Sequence, residues 1–142
     1  MLDPKNGELK YVNAGHNPPL LARKDGSVEK LDCTGLILGI MATAPYEQKV
    51  CALNPGDALV LFSDGVTEAC RPDIDEEFGE DRLAESFMKL RDEPAKAIIE
   101  AITLQVHDFT GGMPPADDIT LVIAKRLEAD PAALATAQLS AS

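Results

Sequence analysis

The hydrophobic period changes at Ser63, and that change limits the fold more than any other feature of the chain. Before it, apolar residues come in short runs: alternating in YEQKVCAL (46–53) and continuous in ALVLFS (58–63). After it they recur every three to four residues. EDRLAESFMKLR (80–91) puts Leu83, Phe87 and Leu90 on one helical face, with Glu80 and Asp81 favouring the N-terminus. Pro94 suits the first position of a second helix, in which Ile98, Ile102, Val106 and Phe109 form the stripe and Gly111 and Gly112 end it. The run ITLVIAKR (119–126) then returns to the strand pattern. Strands, a helix pair and a final strand predict an α+β fold, a largely antiparallel sheet with an antiparallel helix pair on one face.

Turn chemistry divides the first half further. Pro4-Lys5-Asn6-Gly7 predicts a hairpin turn before ELKYV (8–12), whose preceding strand is nearly missing because only Leu2 stands before the turn. PLLAR, the Asp25-Gly26 turn and VEKL predict a second hairpin, and NPGD (54–57) a turn into the buried strand. Residues 128–142 are Ala/Ser-rich with little to bury, which predicts a short helix or a disordered tail.

Charge removes several classes of function. A formal net charge of −11 repels nucleic acid and anionic membrane. The first residues contain no signal-peptide core, and no run approaches the ~20 apolar residues of a membrane span, so the expected location is cytoplasmic. Cys33, Cys51 and Cys70 have no C-x-x-C spacing and read as reduced thiols.

Two acids stand out because each adjoins a strongly apolar strand. Asp64 follows ALVLFS, and Asp117 precedes ITLVIAKR. If these strands are antiparallel neighbours, both carboxylates emerge at one end of the sheet, where a hard divalent cation would offset their repulsion. The plainer alternative is that Asp64 starts an Asp-Gly turn and Asp117 caps a loop.

The motifs LNPGDALVLFSDGVTEA, FGEDRL and DDITLVIAKR, with ELKYVNAGHNPPLL and GLILGI upstream, resemble the bacterial metal-dependent serine/threonine phosphatases of the type 2C (PPM) superfamily, in the SpoIIE and RsbU-like branch. The resemblance covers about residues 2 to 126. It implies part of an α-β-β-α sandwich, with residues 1–127 as the C-terminal portion of the phosphatase domain and 128–142 as the tail. Asp64 and Asp117 are implied as ligands of a two-metal centre holding Mn²⁺ or Mg²⁺. Such ions, roughly 3.5 to 4 Å apart, activate a water for in-line attack on phosphorus. The lack of a G-x-S-x-G elbow or a C-x5-R loop fits a reaction without a nucleophilic side chain. Asp118 and Thr120 would support the site. The implied partner is a phosphorylated anti-sigma-factor antagonist or a similar signalling protein. The branch also carries an upstream aspartate-bearing half that has no counterpart before Asp64, so the chain is expected to be part of a domain.

His16, in AGHNPP, has the chemistry of a general acid, but Gly15 and Asn17-Pro18-Pro19 predict a tight bend between two strands, with a structural imidazole hydrogen-bonded across it. DIDEEFGED (73–81) is no EF-hand, since its sixth and twelfth positions are Phe78 and Ala84; it reads as a solvated acidic segment. A second reading of function is a non-catalytic interaction module. Its unpaired strand edges predict self-association into a homo-oligomer.

Overall fold

The structure is a computed structural model and describes residues 1–71 and 73–128. The expected tail at 129–142 lies outside the described residues.

A four-stranded antiparallel sheet organises the chain, with β2 (Leu20–Ala22), β3 (Val28–Lys30), β5 (Ala58–Phe62) and β8 (Leu121–Lys125) in the order β3-β2-β5-β8. Beside it lies a two-stranded sheet of β1 (Glu8–Tyr11) and β4 (Lys49–Ala52). A third, two-stranded sheet pairs β6 (Cys70–Arg71) with β7 (Glu76–Glu77). Three helices complete the fold: α1 (Asp64–Thr67), α2 (Gly79–Leu90) and α3 (Ala95–Phe109).

Side-chain alternation along β5 decides the layering. Ala58, Val60 and Phe62 face the helices with Leu20 and Ala22, meeting Leu83 and Phe87 of α2 and Ile98, Ile102 and Val106 of α3. Leu59 and Leu61 face the other way with Leu21, toward Leu9, Leu53, Tyr11 and Cys51 around the β1-β4 sheet. One helix layer and two β layers result, so the expected α+β class holds, with the helix pair on one face.

Several local expectations shift. Strand β1 does have a partner, β4, while on its other edge Leu2 makes an isolated bridge to Leu9 and Lys10 N–H donates to Met1 O at 2.9 Å. Only Lys49–Ala52 of the YEQKVCAL run is a strand, because Tyr46 instead bridges Gly35. Pro94 stands just before α3, with a φ of −56° and an extended ψ of 144°. Its ring still fits there, where no N–H is needed. The acidic segment holds the β6-β7 hairpin, and Arg82 fastens it by donating to Glu77 O at 2.8 Å and pairing with Glu76.

A buried ion pair ties the turn before β5 to the β2-β3 hairpin. Asp57 is 2% exposed and accepts from Asn54 N–H (2.8 Å), Lys24 N–H (3.0 Å) and the Arg23 guanidinium (2.8 Å). Burial pushes the Asp57 carboxyl up, yet the hydrogen bonds from Asn54, Arg23 and Lys24 outweigh it and hold it below the ordinary carboxylate range. A depressed folded-state pKa contributes stability that is present above the unfolded value and lost as pH falls through the folded one. Wild-type denaturant midpoints should therefore fall as pH drops below about 4. Asp57→Asn should flatten that fall and cost about 3 kcal/mol at pH 7, because it leaves Arg23 half-partnered. An unchanged pH profile in the variant would remove Asp57 from this role.

Candidate functional site

Strand β5 ends at Phe62, paired with Leu121 of β8, and the chain stays in register for one more residue. Ser63 N–H donates to Thr120 O at 3.0 Å. Ser63 occupies the N-cap position of α1 yet makes no side-chain cap bond, because its hydroxyl is used across the sheet. Ser63 Oγ donates to Asp118 O at 2.6 Å and accepts from Thr120 N–H at 2.9 Å. One hydroxyl thus fixes the segment 118–120 against the end of β5.

Gly65 completes this close approach. A Cβ there would lie 2.5 Å from Asp118 O and 3.0 Å from Asp117 O, so any side chain would push the two segments apart. Asp64 and Asp117, 53 positions apart in sequence, therefore sit at the same end of the β5-β8 pair, as their strand-end positions led us to expect. Both are exposed. Each carboxylate has one oxygen engaged by the following N–H: Asp64 Oδ1 by Gly65 (3.0 Å) and Asp117 Oδ1 by Asp118 (2.7 Å). The second oxygen of each is left for a ligand.

Those two carboxylates fit a hard divalent cation in kind, being exposed oxygen donors carried on a rigid sheet end. In number they hold one side of an ion. Among the described residues, no three His, Cys, Asp or Glu side chains are grouped to hold a metal.

His16 is brought to the same place. A cavity of about 200 Å³ is lined by Gly15, His16, Asn17, Phe62, Ser63 and Asp64. The expected hydrogen bond of the imidazole across the bend is not what closes the loop. Buried Asn13 does that, accepting from His16 N–H at 2.9 Å and donating to His16 O at 3.0 Å, while Asn13 N–H donates to Thr34 Oγ1 at 2.9 Å. The His16 ring is exposed, with Nδ1 2.8 Å from Asn17 O. Thr120 contributes through its backbone, and Asp118 through its carbonyl and N–H.

The motif Ser63-Asp64-Gly65 is legible in the sequence, but separate roles for Ser63, Gly65 and Asn13 are not. The Ser-Asp-Gly triplet reads as turn chemistry, and the partners of Ser63 lie 55 and 57 residues away. Ser63→Ala should leave the exposed Thr120 N–H to water in place of its acceptor and cost about 0.5–1.5 kcal/mol. The expected sign is faster amide exchange at Thr120 and a lowered denaturant midpoint, with Ser63→Thr restoring both; Thr120 exchange unaltered by Ser63→Ala would show that the hydroxyl does not hold the two segments together.

Comparison with known proteins bears on the family and the fold. Residues 1–127 match the family model described as Stage II sporulation protein E (SpoIIE). The chain is 31% identical over 126 residues to Protein IcfG of Synechocystis sp., covering 89% of this chain and 20% of that protein. It is 31% identical over 127 residues to the phosphoserine phosphatase RsbU of Bacillus subtilis, covering 84% of this chain and 35% of RsbU. The phosphatase domain of the cell fate determinant SpoIIE from Bacillus subtilis superposes with a TM-score of 0.70 at 21% identity, over 92% of this chain and 58% of that one. At that identity the structural likeness shows the fold. The chain spans about a fifth to a third of the two curated relatives, and with a family model matched over residues 1–127 it belongs to the SpoIIE family, with the fold of a PP2C-type phosphatase domain.

Proposed function

We propose that this chain is the Asp64- and Asp117-bearing portion of a metal-dependent phosphatase that hydrolyses phosphoserine or phosphothreonine on a bacterial signalling protein. The observation that carries the reading is the Ser63 stitch, because it holds two acidic segments at one sheet end in a member of the SpoIIE family. Kinship with RsbU, which is named a phosphoserine phosphatase, supports the reaction class. The branch resemblance supports a phosphorylated anti-sigma-factor antagonist as the substrate type. Residues 1–127 are then the C-terminal portion of the catalytic domain.

In this reading Asp64 and Asp117 hold Mn²⁺ or Mg²⁺ through the oxygens not engaged by Gly65 and Asp118. Such ions, when bound, supply Lewis-acid polarisation of phosphoryl oxygens and a nucleophilic water at neutral pH. The chain's own part is binding and orientation. Gly65 and Asp118 N–H groups fix the rotation of the two carboxylates, and Ser63 sets the distance between their backbones. Two carboxylates do not close a metal site, so the reading requires further oxygen donors from another segment or another chain. In the longest natural protein carrying this sequence, Asp64→Asn and Asp117→Asn should each lower Mn²⁺-dependent turnover of p-nitrophenyl phosphate at least about 100-fold. Undiminished turnover in either variant would sink that residue's assignment.

A second reading, a non-catalytic interaction module, is favoured by one specific feature. Leu36, Ile37, Leu38, Ile40 and Met41 form an exposed apolar run, and Leu38 also borders a cavity of about 550 Å³ lined by Leu9, Leu59, Leu61 and Ala124. Such a surface seeks a partner, and in solution this polypeptide should self-associate. Light scattering at micromolar concentration checks this, a monodisperse monomer being the contrary result.

A further inference from the structure

We propose that Thr110, at the end of α3, is a positioning residue for Asp117, holding the approach to that residue from the side that Ser63 does not reach. The inference rests on the reading of Asp117 as a metal-binding carboxylate, and it extends the site into the helix layer.

Ser63 fixes the chain after Asp117, through Asp118 O and Thr120 N–H. The chain before Asp117 is held differently. Helix α3 ends in a Schellman turn, in which Gly112 N–H donates to His107 O at 2.9 Å and Gly111 N–H to Asp108 O at 3.1 Å. Gly111 and Gly112 have φ values of +66° and +78°, the left-handed conformation that this reversal requires. Thr110 then catches the chain as it leaves the turn. Its hydroxyl lies 3.0 Å from His107 O and 3.3 Å from Met113 O. The first contact is the ordinary bond of a helical threonine to the preceding turn. The second ties the helix end to the segment that leads to Asp117. Thr110 is 5% exposed, so water competes little for that hydroxyl.

Two prolines carry this constraint toward Asp117. Pro114 and Pro115 follow Met113 directly, and each ring fixes its own φ at about −65° while restricting the residue before it. Only Ala116 stands between this stiff strut and Asp117. Among the described residues, no backbone N–H or carbonyl of 114–117 has a hydrogen-bond partner in the chain. Packing does not place the strut either. It passes over a cavity of about 180 Å³ bordered by Val106, Thr110, Met113, Pro115 and Ile119, room for several waters. An exposed connector over open space is placed by its two ends, and Thr110 holds the end on the helix side.

The test is calorimetric titration with Mn²⁺ of the longest natural protein carrying this sequence, as wild type, Thr110→Val, Thr110→Ser, Asp117→Asn and the double variant Pro114→Ala/Pro115→Ala. Valine keeps the branched shape and removes the hydroxyl, whereas serine keeps the hydroxyl. Thr110→Val should weaken Mn²⁺ about 10-fold, the low end for losing a group that supports a metal ligand, and Thr110→Ser should stay within about 2-fold of wild type. Turnover of p-nitrophenyl phosphate at saturating Mn²⁺ should stay within about 3-fold in Thr110→Val, because the residue touches no reacting atom. The proline variant, altered only at exposed positions, should weaken Mn²⁺ in the same direction. A Thr110→Val protein with a lowered denaturant midpoint but wild-type Mn²⁺ affinity would confine Thr110 to holding the helix end and overturn the proposal. Equal weakening in Thr110→Ser would overturn it too. In either case weaker Mn²⁺ binding by Asp117→Asn leaves the carboxylate reading standing. If far-ultraviolet circular dichroism shows Thr110→Val to be unfolded, the proline variant decides, and unchanged affinity there refutes the proposal. If Asp117→Asn binds Mn²⁺ as wild type does, or wild type binds none, the reading of Asp117 fails and this inference fails with it.

Discussion

Strand β5 is covered on both faces, and everything else in the molecule is arranged around that fact. Ala58, Val60 and Phe62 are packed under α2 and α3, while Leu59 and Leu61 look toward the β1-β4 sheet. A strand with no solvent-facing side must read as a continuous apolar run, which is why ALVLF carries no charge. Such a strand has one permitted register, since a slip by one residue would exchange its two apolar faces and break the pairing with β2 and β8. The position of Asp64, one residue past its hydrogen-bonded end, is therefore set to within the rigidity of the core.

That rigidity explains how an acidic chain can hold two aspartate-bearing segments together at the end of a sheet. Repulsion between exposed charges in water is of order 1 kcal/mol at about 4 Å. The backbone hydrogen bonds at Ser63 and the register of five β5-β8 pairs oppose it. The two segments stay together through groups that carry no charge: one hydroxyl, two carbonyls and a glycine without a side chain.

The helical layer and the turn before β5 contribute at a distance. Asp57 and Arg23 lock the entry to β5 to the β2-β3 hairpin, and Arg91 reaches back from the end of α2 to donate to Arg23 O at 3.0 Å. Burying such a pair adds little net stability over an apolar substitute, and its use here is to fix register at the strand's start. At the far end, Arg82 covers the Phe109 ring at 4.9 Å and holds the β6-β7 hairpin, tying the acidic segment after α1 to the end of α3.

Elements with a local cause are legible in the order of the residues alone. The change from strand to helical period, the Asp25-Gly26 turn, the stripes Leu83-Phe87 and Ile98-Ile102-Val106, and the apolar run before Asp64 all follow from neighbouring residues. The ordered motifs also carried the family. Short pieces such as α1 and the β6-β7 hairpin were not legible, because a four-residue helix and two-residue strands have no period to detect. Long-range packing settles that the hydroxyl of Ser63 joins two strands rather than capping a helix, that β1 pairs with β4, and that Asn13 rather than His16 closes the AGH bend. Each of those outcomes depends on a partner that chain folding brings near, for Ser63 from 55 to 57 residues away. A hydroxyl, an amide or an imidazole can satisfy itself locally in many ways, and the core packing around β5 selects which one.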